Sequence, residues 1–565
     1  MRYVGALPAR VGAMTAQRPP PRVAGGRLFR GARNRRRLRA VLVAGIEVHE
    51  RAPAIIQPAR SEPPPRSAAR GRRLGVNAVA GGAANFLKIG VQIVMLPLMA
   101  HLLGPSEFGL YALALPTISF FMILADGGLA ASLAREPSDE TIVWSTAFWL
   151  TLIVGVTLAG VVIGWGFILG ALSHEPRVTK LMALLSISLV MIGGAALPSA
   201  SLTRQGRLVV FAAADLSSTM IAASVAVALA AWGAGATSLA VQYVTYYTIR
   251  ALALNAVAFV RPRFQFRLSA VVGHLSTGSA LLGSKLADFS GRLVENLLYG
   301  GTFGAAGLGV YTFANQAPRF VCEAAAGPVW AALYAHALHE RGESIAKTHA
   351  NLVRILASIV FPAAALISAT APQILGVILG PKWDAATTLL RILIPFYALN
   401  VVASQSGAVL LARGDGWLLF WLSMVVTVHR AAAVALGPWV GQIGVALGIG
   451  AALTIFAWLM FDAPDEGDGR SDLRLVSAIA APVAASVAAG VACWIAVSRT
   501  DGDVAWIAAA WALGGAVYLA SLFVLQRETL LNDLSVLRVL AARLTPRAHT
   551  AANFLNRGAQ GATTA

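Results

Sequence analysis

The sequence predicts an all-α polytopic membrane protein of about 14 transmembrane helices. They form two pseudo-symmetric six-helix lobes followed by two C-terminal helices. Three observations predict this. The 565 residues are 57% hydrophobic and only 13% charged, with a mean hydropathy of +0.68. Apolar runs of 20 or more residues recur from Val76 to Leu525, each long enough to cross ~30 Å of hydrocarbon. Finally, the chain repeats itself at an offset of 200: Leu103–Ala114 reads LGPSEFGLYALA and Phe303–Ala314 reads FGAAGLGVYTFA.

The runs follow one another with clear punctuation. Run 76–102 stops at Gly104-Pro105, where proline and glycine break a helix, and run 108–132 follows. Runs 142–172 and 178–202 are separated by Glu175-Pro176-Arg177, and runs 208–233 and 236–258 by a glycine turn. A basic stretch, Arg261 to Arg267, precedes runs 273–300 and 306–335. Run 350–379 ends at Gly380-Pro381, run 386–411 at Arg413-Gly414, and run 416–438 at Gly437-Pro438. Runs 442–461, 475–497 and 504–525 complete the set.

The repeat sets the lobes. Gly104, Gly109, Tyr111 and Ala114 fall on Gly304, Gly309, Tyr311 and Ala314, and a second echo aligns Leu202–Phe211 with Leu411–Phe420. Both copies start on the same side, which makes this a parallel repeat, and the seam between such lobes is where transporters bind substrate. The expected division is a tail over 1–73, an N-lobe over 74–260 and a linking loop over 261–272. A C-lobe over 273–461, extra helices over 462–526 and a C-terminal tail over 527–565 complete it.

Alternate connections carry unequal charge. One set holds Arg135, Arg204, Arg207, Arg261, Arg263, Arg267, Arg341, Lys347, Arg413, Arg470 and Arg474; the other holds only Arg177, Lys180, Lys382 and Arg499. The positive-inside rule puts the first set and both termini in the cytoplasm of a bacterial inner membrane. Residues 1–73 carry 17 Arg, no Lys and 3 Glu, so +14 of the +19 net charge sits there. That Arg/Pro/Gly-rich composition does not bury enough surface to fold. It reads as a disordered tail, as a start site assigned too far upstream, or as a segment that lies on anionic lipids. It has no aromatic interleaving and no fold to present its arginines to nucleic acid. Cys322 and Cys493 both sit in apolar runs as small buried hydrophobes, without metal-site spacing.

Polar stripes interrupt the apolar runs. Lys285, Asp288, Arg292 and Glu295 fall within roughly 80° of arc on one helix, with Asn296 and Tyr299 extending that face. Asn315, Gln316, Arg319 and Glu323 form a second stripe; Asn85, Lys88 and Gln92 form a third that superposes on Lys285, Asp288 and Arg292. Charges at this depth must face protein or water. They are either intrahelical pairs such as Arg319–Glu323 or the lining of a polar cavity. Lys88, Lys285, Arg292 and Arg319 against Asp288, Glu295 and Glu323 leave one positive charge over, which suits an anion, and the arginine fork suits phosphate oxygens. Asp126 is a helix-end contact or an ion-coupling group, a role open to Asp288 as well. His429-Arg430 is an interhelical hydrogen bond, a snorkelling arginine or a proton relay. Asp501-Gly502-Asp503 reads as a polar turn. The sequence carries no nucleotide-binding, hydrolase or zinc-protease motif, so neither a cofactor nor enzymatic chemistry is expected.

LGPSEFGLYALA (103–114), followed by ADGGLAASLAR (125–135), resembles the opening of the Wzx-type lipid-linked oligosaccharide flippases of the multidrug/oligosaccharidyl-lipid/polysaccharide exporter superfamily. Gly128-Leu129 matches the family pattern, Asp126 occupies its acidic position, and Arg204 to Arg207 is similar to its inner loop. The resemblance covers 74–525. It implies a two-lobed transporter that moves an undecaprenyl-diphosphate-linked glycan from the cytoplasmic to the periplasmic leaflet. It also implies a cationic cavity, ion-gradient coupling, and neighbours such as a polysaccharide polymerase and glycosyltransferases. Other readings are a cation-coupled drug or metabolite exporter, for which an acidic cavity is expected, a membrane glycan polymerase or ligase, for which a large outer loop is expected, and a non-transporting scaffold. A reporter fused after Arg267 is expected to read out as cytoplasmic; a periplasmic readout contradicts the two-lobe assignment.

Overall fold

The computed structural model describes residues 68–126, 129–134, 140–258, 262–340, 343–463, 471–498 and 504–544. The Arg-rich tail up to residue 67, the Asp501–Asp503 turn, residues 545–565, and Arg135, Arg261, Arg341, Arg470 and Arg499 lie outside these. Among the described residues there are helices and no strand. They are α1 (Ala68–Asp126), α2 (Leu129–Leu133), α3 (Thr141–Leu172), α4 (Arg177–Arg204), α5 (Leu208–Ala231), α6 (Ala236–Ala258), α7 (Val272–Ala337), α8 (Glu343–Ile378), α9 (Asp384–Ser404), α10 (Ser406–Arg413), α11 (Gly416–Ala435), α12 (Gly437–Asp462), α13 (Ser471–Val497) and α14 (Val504–Leu544). Short 3₁₀ turns occupy Leu268–Ala270 and Pro381–Trp383. Ten described helices are long and apolar enough to cross a membrane.

The sequence echo corresponds to a repeated bend. α1 breaks at Gly104 (φ 75°, ψ 172°) and α7 at Gly304 (φ 72°, ψ −179°). Only glycine adopts this backbone without strain. Each of the two long helices is therefore a pair of arms joined at a glycine.

Packing sorts the remaining helices. α3, α4, α5 and α6 pack on one another; α8, α9, α11 and α12 do likewise, with α7 against α9 and α11. α13 packs along α8 and against α14. The α3–α4 contact is close: a Cβ on Gly155 would lie 2.7 Å from the Leu189 carbonyl oxygen, and one on Gly193 would lie 2.7 Å from the Thr151 carbonyl oxygen. Without a water-driven hydrophobic force between helices in lipid, such small-residue approaches supply the packing. Aromatic groups fill the seam where α1 meets α7. Trp383 is fully buried, edge-on to Phe108 at 5.9 Å and tilted to Phe313 at 5.2 Å. Tyr299 stacks on Tyr311 at 4.2 Å.

The segment before α7 is tied to α3. The Trp149 indole donates to the Arg263 carbonyl at 3.0 Å, Arg263 N–H to Ser145 Oγ at 3.0 Å, and Arg267 N–H to Thr146 Oγ1 at 3.1 Å. Trp149 also stacks on Phe264 at 5.1 Å. Outward-facing apolar side chains such as Trp232 and Val524 are about as exposed as in an unfolded chain, as a lipid-facing surface requires.

Gly193→Val forces the α3–α4 contact apart and is expected to destabilise the protein by about 1–3 kcal/mol. Gly160, with nothing within 4 Å of its Cβ position, tolerates valine. Thermal unfolding of the two variants in detergent checks the difference.

Candidate substrate cavity

A cavity of about 590 Å³ lies between the second arm of α1 and helices α7, α9, α11 and α12. The α1 side is small and uncharged: Ala112, Leu115, Pro116 and Ser119. The charges come from the opposite side, Arg292, Glu295, Arg319 and Glu323 from α7 and Arg430 from α11. Both long-helix arms of α7 contribute because the bend at Gly304 folds one back beside the other.

The deepest charge is Glu295, whose side chain is 5% exposed. It accepts hydrogen bonds from Arg430 Nη2 at 2.8 Å and from the Tyr311 hydroxyl. Tyr311 in turn accepts from Asn315 Nδ2 at 3.1 Å, Asn315 Oδ1 accepts from Tyr397, and the Tyr397 hydroxyl accepts from Arg430 Nη2 at 3.2 Å. Five side chains from α7, α9 and α11 thus close a ring in which each hydroxyl both donates and accepts. A charge in a low-dielectric interior persists only when paired and hydrogen-bonded, and the ring meets both conditions. Arg430 Nε is buried without a hydrogen-bond partner among the described residues.

Nearer the rim, Arg319 Nε lies 3.1 Å from Glu323 Oε1, one helical turn on. Arg292 rests over the Phe289 ring at 5.1 Å. The described lining therefore carries three arginines against two glutamates, a net positive cavity.

Of the residues singled out by sequence, Arg292, Glu295, Arg319 and Glu323 come together here, with Asn296, Asn315 and Gln316 beside them. Arg319 and Glu323 also make the intrahelical pair that was the alternative reading. Lys88 sits elsewhere: its Nζ is 2.6 Å from Asp215 Oδ2 on α5, with Tyr246 and Arg250 of α6 closing on the same carboxylate. Gln92 is exposed. Asn85, Asp126, Lys285 and Asp288 lie on the helix backbones, but their side chains are outside the described set. Arg430, Tyr397 and Asn400 were not chosen from sequence as lining. Arg430 makes one of the contacts considered for it, an interhelical hydrogen bond. Asp215 and Arg250 were not read at all, although each stands as a lone charge in neighbouring apolar runs.

A family model described as "Polysaccharide biosynthesis protein" matches residues 98–388, more than half of the chain. The chain belongs to the polysaccharide biosynthesis protein family. This family member is 26% identical over 385 residues to the succinoglycan biosynthesis transport protein ExoT of Rhizobium meliloti (strain 1021), covering 66% of this chain and 77% of ExoT. It is 21% identical over 371 residues to the lipopolysaccharide biosynthesis protein WzxC of Escherichia coli (strain K12), covering 65% of this chain and 75% of WzxC. Among solved structures, the lipid II flippase MurJ in an inward closed conformation superposes with a TM-score of 0.66 at 13% identity, covering 80% of this chain and all of MurJ. An inward-facing multidrug resistance transporter of the MOP superfamily superposes with a TM-score of 0.55 at 16% identity, covering 69% of this chain and 95% of the transporter. At such identities the likeness is one of fold. The resemblance drawn from residues 103–135 to Wzx-type flippases of that superfamily agrees with these findings.

Glu295→Leu and Arg430→Met each strand the partner's charge, and each is expected to cost about 3–5 kcal/mol of stability. The double variant Glu295→Leu, Arg430→Met removes both charges and is expected to unfold closer to the parent than either single variant. Thermal unfolding of all four proteins forms the double-mutant cycle that checks this.

Proposed function

We propose that this polysaccharide biosynthesis protein is a flippase for a lipid-linked oligosaccharide. It carries an undecaprenyl-diphosphate-linked unit of an O-antigen, capsule or exopolysaccharide from the cytoplasmic to the periplasmic leaflet of the inner membrane. The observation that carries this reading is the positive balance of the described lining, three arginines against two glutamates at the depth of the apolar helices. A diphosphate is the part of such a substrate that hydrocarbon rejects most strongly. Arginine forks bind its oxygens two at a time. A cavity of about 590 Å³ is in the range that encloses a drug-sized group. It therefore takes the diphosphate and adjoining sugar, while the lipid tail stays in the bilayer.

The carriers named for succinoglycan and lipopolysaccharide biosynthesis support the substrate class. Both termini are cytoplasmic, and the donor and acceptor enzymes that build and polymerise the glycan act before and after this step. A drug exporter for cations suits the same fold, but the excess of arginine disfavours a cationic guest. The protein performs transport rather than bond chemistry.

Arg292→Ala and Arg319→Ala are the test. Each charge-assisted hydrogen bond to the diphosphate is worth about 1.5–3 kcal/mol, and ~1.4 kcal/mol is a factor of ten. Either substitution is therefore expected to cut export by roughly tenfold or more at normal membrane levels, with lipid-linked intermediate held on the inner leaflet. Lysine at either position rescues in part, keeping charge without the fork. Normal export by both alanine variants sinks the reading.

A further inference from the structure

The cavity ends abruptly on one side. Its lining starts at Ala112 on the second arm of α1 and at Thr312 on the second arm of α7, positions related by the repeat offset. Three residues before each stands a glycine, Gly109 and Gly309, and there the two chains touch backbone to backbone. A Cβ on Gly109 would lie 1.7 Å from the Ala305 carbonyl oxygen and 2.9 Å from Gly309 N. A Cβ on Gly309 would lie 1.9 Å from the Pro105 carbonyl oxygen and 3.0 Å from Gly109 N. The contact is reciprocal and leaves no room for a side chain or a water file. Beside it, Asn296 Nδ2 donates to the Ala112 carbonyl at 2.9 Å, a second link between the same two helices.

We propose that this glycine crossing, locked by the Asn296 hydrogen bond, is the outer gate of the transporter. Gly109, Gly309 and Asn296 thereby decide to which face the cavity opens. The proposal rests on the alternating-access reading above, and on the orientation that puts the Gly104 and Gly304 bends on the periplasmic side. Both bends fall between the arms of α1 and α7, so the crossing sits at their outer ends with the cavity inward of it. Release of a lipid-linked group to the outer leaflet then requires 105–109 and 305–309 to part. At the crossing itself the contact is backbone on backbone, and the Trp383 packing on Phe108 and Phe313 beside it is what must give when the arms separate. The bare backbone contact also means that a single methyl group, which forces the arms apart, biases the equilibrium toward the outward-open state.

The test reads accessibility and is independent of substrate. Ser119, a lining residue, is changed to cysteine in a full-length protein in which Cys322 and Cys493 are alanine. A membrane-impermeant maleimide is applied to right-side-out and to inverted vesicles. Gly109→Ala and Gly309→Ala are expected to raise labelling from the periplasmic face at least tenfold and to lower it from the cytoplasmic face. Gly301→Ala, on the same helix with nothing within 4 Å of its Cβ position, is expected to leave both rates at the parent value. Should the glycine variants not accumulate, Asn296→Ala removes only the lock and is expected to shift labelling in the same direction. Unchanged labelling in every accumulated variant overturns the gate. A rise from the cytoplasmic face alone overturns its assignment to the outer side. A rise from the periplasmic face in the glycine variants, together with a parent protein that itself exports no glycan, upholds the gate and counts against the flippase reading alone.

Discussion

Everything in the cavity depends on one buried carboxylate. Glu295 stands among apolar helices, and hydrocarbon offers it no water. Arg430 reaches it from α11 and Tyr311 donates to it from the other arm of α7, the partners that a buried carboxylate requires. That requirement fixes the relative position of three helices more tightly than apolar packing alone, since a leucine contact slides at little cost and a hydrogen-bonded ring does not. Arg292 and Arg319 are then presented to the cavity from a helix whose orientation is already determined. The positive balance of the site is built on a neutral, rigid base.

The fold was legible because its signals are local. Long apolar runs, glycine–proline breaks and an unequal distribution of arginine are properties of single segments. The echo of Gly104 in Gly304 marked two bends that share the same backbone conformation. Helical periodicity likewise grouped Arg292 and Glu295 with the α7 face that lines the cavity. What periodicity lacks is the identity of the opposing helix. The Lys88 stripe matches the Arg292 stripe in register, yet Lys88 pairs with Asp215 of α5, a carboxylate that Arg250 of α6 also binds. Arg430 stands in a run with no other charge except His429, so nothing in its own helix showed that its partner lay 135 residues away. Tyr397 and Asn400 carry no charge and blend into α9. Polar groups that act through tertiary pairing leave no trace in the spacing of one helix.

Two clusters of charge divide the membrane interior. The Asp215 cluster gathers Lys88, Tyr246 and Arg250 on α1, α5 and α6, while the Glu295 ring gathers α7, α9 and α11. Each ties helices of one group together and neither spans to the other. Between the groups, contact relies on aromatic packing around Trp383, on bare backbone and on the Asn296–Ala112 hydrogen bond. Charge pairs tie helices within each group, whereas packing, bare backbone and this hydrogen bond join the groups.

The reciprocity of the Gly109–Gly309 contact is a matter of symmetry. Residues 105–109 offer to 305–309 the same surface that they receive, which is the isologous geometry of a two-fold dimer. Two copies of a half-length chain, both inserted in the same direction, would meet through this surface about an axis along the membrane normal. The two sides of that surface nonetheless differ in what they present to the cavity: the arginines come from α7 and α11, and α1 supplies a facing wall of uncharged residues.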